Sequence, residues 1–75
     1  MSAQPAIHVR EVGAGQMVAR CMYDPEGPTY EIATTNFLTA ARTYLARRWP
    51  ERAFDKKGWS ANATEAIYHF AEVPA

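Results

Sequence analysis

The stretch from Thr35 to Trp49, TNFLTAARTYLARRW, is the one long run in which apolar residues recur at helical spacing. It restricts the chain to folds in which an amphipathic helix lies on something apolar. Phe37, Leu38, Ala41, Tyr44, Leu45 and Trp49 follow at intervals of one, three and four, which puts them on one face. Thr34 or Thr35 is the expected cap, because a threonine oxygen accepts a free first-turn N–H that alanine could not. Pro50 ends the pattern. The outer face carries Thr39, Arg42, Thr43, Ala46 and Arg47, with Arg48 at the border.

The flanking segments read as strands. Ala6 to Val12 has Ile7 and Val9 on one side and His8 and Arg10 on the other. Gly13-Ala14-Gly15 is a natural reversal, since glycine accepts positive φ at little cost. A hairpin centred near Ala14 sets Ile7 opposite Cys21 and Val9 opposite Ala19, with Met17 and Tyr23 on that core face. His8 then lies opposite Arg20 and Arg10 opposite Val18 on the other face. Asp24-Pro25-Glu26-Gly27 suits a type I turn. A short third strand, Thr29 to Ala33, follows with Tyr30 and Ile32 inward.

After Pro50 the spacing is less regular. Glu51-Arg52-Ala53-Phe54 is expected to form one more helical turn, with Phe54 and Trp59 plugging a loop onto the body. Glu65 to Val73 is a strand apolar on both sides, as expected if it inserts between others or meets a partner. The layout is thus α+β: a small antiparallel sheet of three or four strands with one helix on one face, in the order β-β-β-α-β. Residues 1–75 form a single small domain, with 1–5 as a flexible leader.

Composition limits function. Seventy-five residues bury only about 60% of the unfolded surface, so self-association or docking on a larger partner would add useful stability. Eight basic and eight acidic residues cancel, which removes any general attraction for a phosphate backbone. The charges are nonetheless segregated, with Arg42, Arg47, Arg48, Arg52, Lys56 and Lys57 opposed only by Glu51 and Asp55 within residues 42–57. A single cysteine, Cys21, excludes an internal disulfide framework, and no apolar run reaches bilayer length or resembles a signal sequence. A cytoplasmic location and no membrane partner are therefore expected.

Chemistry is sparse. His8 and His69 lie on different strands without paired metal-ligand spacing, and Cys21 falls on the face opposite His8. Ser2 and Ser60 lack a nucleophile elbow, and the glycines sit between strands rather than before a helix. No catalytic residue, metal or cofactor is assigned, and an enzyme is not expected. Nine aromatic rings among 75 residues exceed what a helix-on-sheet core needs, and Tyr, Trp and Arg are the residues that anchor protein interfaces. The expected function is a protein-binding module, an adaptor or small protein inhibitor. Its expected contacts are Arg10, Arg20, Arg42, Arg47, Arg48, Trp59 and Tyr68, meeting a protein partner or a second copy. The alternative is a small nucleic-acid binder using Arg42, Arg47, Arg48, Arg52, Lys56 and Lys57.

Overall fold

The computed structural model describes residues 4–74. Five strands and one helix occur in the order β1 (Ala6–Gly13), β2 (Gln16–Cys21), β3 (Thr29–Ile32), α1 (Phe37–Arg48), β4 (Ala53–Ala61) and β5 (Glu65–Val73). All pairings are antiparallel, and the sheet order is β3-β2-β1-β5-β4. The fold is α+β with one helix, as expected, but the sheet has five strands rather than three or four, and the order gains a strand after the helix.

The first hairpin has the expected register, with Ile7 opposite Cys21, His8 opposite Arg20, Val9 opposite Ala19 and Arg10 opposite Val18. Gly15 adopts φ +68° in the reversal, a conformation that a Cβ disfavours. Pairing reaches one residue beyond β1, since the Pro5 carbonyl accepts the Phe70 N–H at 3.0 Å. Of the rest of the expected leader, Gln4 is exposed and outside the strand, and residues 1–3 lie outside the described residues. β5 runs between β1 and β4, with Ala66, Tyr68 and Phe70 buried on the helix side and Ile67 and Ala71 half-buried on the other.

The added strand β4 replaces the helical turn and loop expected over residues 51–60. Its pattern is hidden by an irregularity between Lys56 and Gly58: Lys56 pairs with Phe70 and Gly58 with His69, leaving Lys57 as the extra residue. A bulge of this kind shifts the two-residue alternation. Phe54 and Trp59 are five apart and would point to opposite faces of a regular strand. Because they pair with Glu72 and Tyr68, both lie on the helix side. Phe54 acts as a plug, its ring 5.8 Å from that of Trp49. Trp59 does not, being 62% exposed.

The helix begins later than its pattern suggested. Asn36, rather than Thr34 or Thr35, is the N-cap, its Oδ1 accepting the Thr39 N–H at 2.9 Å. Thr34 supports that cap by accepting the Asn36 N–H at 3.1 Å. Ala40, Ala41, Tyr44 and Leu45 are buried against Ile7, Val9, Met17, Ala19, Cys21, Ile32, Ala66, Tyr68 and Phe70, with Tyr30, Phe37, Leu38, Trp49 and Phe54 packed around them. Tyr23, expected on the core face, lies beyond the end of β2 and is exposed.

The C-terminal end of α1 is latched to the turn after β2. In that turn the Gly27 N–H donates to the Asp24 carbonyl at 3.0 Å. The Arg48 guanidinium grips the Asp24 carboxylate through Nη2 and donates through Nη1 to the Tyr44 hydroxyl at 3.1 Å. That hydroxyl in turn donates to the Pro28 carbonyl at 3.0 Å. Burial raises the Tyr44 pKa, with the Arg48 hydrogen bond opposing, so the phenol keeps the proton it donates. Gly27 leaves room for this arrangement: a Cβ there would stand 2.6 Å from Arg48 Nη1 and 2.8 Å from Asp24 Oδ2.

Removing the latch with Arg48→Met should lower unfolding stability by about 2 kcal/mol, since hydrogen bonds to charged groups contribute about 1.5–3 kcal/mol. Gly27→Ala should cost at least about 1 kcal/mol by displacing the same ion pair. Gly58→Ala, where a Cβ meets nothing within 4 Å, should be neutral or stabilising by a few tenths of a kcal/mol. Urea denaturation midpoints of the three variants check this order.

Candidate functional site

The seven residues expected as protein contacts fall into three groups. Arg10 and Arg20 stand on the sheet face that α1 leaves uncovered. Arg42, Arg47 and Arg48 belong to α1. Trp59 and Tyr68 face each other across β4 and β5 on the helix side. They do not make a single patch.

The helix arginines are largely engaged in holding the fold. Arg42 lies over the Phe70 ring at 5.9 Å and Arg47 over Tyr30 at 5.8 Å. Arg47 also donates to the Glu31 carbonyl of β3 at 3.3 Å. Arg48 is held in the latch and over Trp49 at 4.5 Å, and Arg52 is 3.6 Å from Glu72. The basic run from Arg42 to Lys57 is therefore not a free row of cations. Within it, Lys56 and Lys57 make no ion pair or side-chain hydrogen bond among the described residues.

On the open face, β1 and β2 bring His8, Arg10, Val18 and Arg20 around a shallow depression. The pairing register dictates this, because His8 is opposite Arg20 and Arg10 opposite Val18 on successive same-face positions. His8 Nε2 is 3.0 Å from Glu65 Oε2, the ring N–H donating and the carboxylate accepting. This hydrogen bond is the leading cause of a lowered Glu65 pKa, against an opposing effect of burial. Arg10, paired across the ladder with Glu65, adds a weaker electrostatic pull in the same direction. Arg20 has no ion-pair partner among the described residues.

His69 stands opposite Ala6, two positions along the ladder from His8 and on the same face, while Cys21 is buried on the helix side. The thiol and the imidazoles are thus separated by the sheet. No group of three His, Cys, Asp or Glu side chains gathers among the described residues. Nor, among those residues, is any helix long and apolar enough to cross a membrane.

The third group is the most unusual. Trp59 is 62% exposed yet stands on a strand, its ring stacked on Tyr68 at 6.4 Å and 21° between planes. Tyr68 is itself buried and tilted against Phe70, so the exposed indole rests on the core. Lys56 shares its side of the sheet, because the bulge at Lys57 returns both residues to that side. Sequence spacing alone left Lys56 and Trp59 unconnected. The available signal was Gly58 within a run otherwise compatible with a strand, a common mark of a bulge.

Comparison of the chain with protein-family models, with curated proteins and with solved structures finds no match.

Because the folded-state pKa of Glu65 is depressed, its contribution to stability is present at neutral pH and is lost as pH falls through that lowered value. Wild-type protein should therefore be more stable than Glu65→Gln near pH 6, with the difference shrinking below about pH 4.3. Thermal melts of both proteins across pH 2.5 to 7 test the sign.

Proposed function

We propose that this chain is a non-enzymatic protein-binding module, an adaptor or small inhibitor that occupies a surface on a larger partner, with Trp59 as its anchor. The observation that carries this reading is a largely exposed indole stacked on a buried tyrosine. A ring fixed on a strand loses little conformational freedom on binding, and truncating such an anchor removes a large desolvated contact. Partly exposed aromatic area of this kind is enriched at interface centres, whereas an isolated charge mainly affects orientation and on-rate. On the opposite sheet face, Arg10 and Arg20 supply charges suited to orienting a partner or a second copy.

The alternative reading is a single-stranded nucleic acid stacked on Trp59, with Lys56, Lys57 and Arg42 near its phosphates. What favours it is that the two lysines have no acidic partner among the described residues. It is weakened by the engagement of Arg47, Arg48 and Arg52, since few phosphate contacts give little affinity.

Size exclusion with light scattering on the natively isolated protein, before and after nuclease and high salt, separates the two. A discrete complex with a second polypeptide that survives both treatments supports the module, whereas collapse on nuclease treatment supports the alternative. In that complex Trp59→Ala should weaken binding by at least about 30-fold, the effect expected of a hot-spot residue. Its folding stability should change by no more than about 1 kcal/mol, the value of one ring contact. Isothermal titration and denaturant melts give the two numbers.

A further inference from the structure

The two edges of the sheet are not equivalent. β3 is four residues long, and Arg47 reaches from the helix to its Glu31 carbonyl. β4 is nine residues long, and no main-chain hydrogen bond outside its ladder with β5 involves Ala53–Ala61 among the described residues. In an antiparallel ladder alternate residues turn their N–H and C=O groups away from the neighbouring strand. The outer side of β4 therefore presents unpaired main-chain donors and acceptors beside Trp59.

We propose that β4 is a docking rail for an extended acidic peptide segment of the partner, which adds to the sheet as a sixth strand and packs an apolar side chain on Trp59. This inference rests on the protein-binding reading and specifies the chemistry of the same site. The main-chain edge supplies affinity without regard to sequence, and the side chains along it supply selection. Lys56 and Trp59 share the helix side, so the preferred segment carries a carboxylate and an apolar group on one face. Lys57 adds a second cation at the bulge.

The same features disfavour a second copy. Antiparallel self-pairing of β4 about its centre brings Lys56 and Lys57 of both chains together, and lysines with a bulge are devices that blunt edge-to-edge association. They leave the edge selective for an acidic strand. A nucleic acid could use the ring and the lysines but would leave the main-chain edge unpaired.

The test is titration of the full chain with a capped ten-residue peptide that alternates glutamate and valine along one face and threonine along the other. Binding is followed by calorimetry, by the Trp59 indole N–H resonance, and by amide exchange along β4. Saturable binding should shift that resonance and slow exchange of β4 amides that do not pair with β5. Methylating alternate peptide nitrogens should abolish binding, and the Lys56→Glu, Lys57→Glu double variant should weaken it at least 10-fold.

Strand addition is overturned if the methylated peptide binds equally well, if lysine replaces glutamate without loss, or if no β4 amide is protected. When any of these occurs while the indole signal still shifts, the Trp59 anchor reading survives. A complete lack of peptide binding likewise overturns strand addition, leaving the anchor to the partner titration with Trp59→Ala. If an oligothymidylate shifts the indole and the peptide does not, both strand addition and the protein-binding reading fall.

Discussion

One helix on a five-stranded sheet leaves much of that sheet uncovered, and the rest of the molecule follows from this constraint. Four spacings of about 4.8 Å make the sheet roughly 19 Å wide. A helix of about 10 Å diameter cannot span it. α1 packs mainly over β1 and β2, reaches β5 and β3, and leaves β4 at the margin. The sheet consequently has a polar open face and an aromatic shelf beyond the helix.

Arginines help the helix hold its place on this small core. Arg42 and Arg47 lie over aromatic rings of the sheet, while Arg48 ties the last helical turn to the loop between β2 and β3. Such side chains bury apolar stems and planar heads against rings while keeping partial access to water. Arg47 and Arg48, in the last turn, also complement the partial negative charge of the helix C-terminus. A basic helix surface can therefore be a set of fasteners.

The two uncovered surfaces differ in how their polar groups are used. On the open face, His8 and Glu65 form a hydrogen-bonded pair, so both side chains are engaged within the sheet. On the shelf, Trp59 rests on Tyr68 while Lys56 and Lys57 have no acidic partner among the described residues. An exposed ring, two lysines and a strand edge thus stand within a few residues of one another on β4.

Much of the local structure was legible in the sequence. Helical spacing located α1, two-residue alternation gave the β1–β2 register, and the Asp24 to Gly27 turn followed from the conformational preferences of its residues. The doubly apolar pattern of Glu65 to Val73 likewise signalled a strand between neighbours. β4 was not legible, because its lysines and glycine weaken the strand signal and the bulge at Lys57 breaks the alternation that would have linked Phe54 to Trp59. The sequence also could not separate engaged arginines from unpaired lysines, since both are cations in one basic run. Only the packing of α1 decided which were held against rings and carboxylates. Local preferences act over a few residues and can be read there, whereas the exposure of Trp59 depends on where a helix from another part of the chain stops covering the sheet.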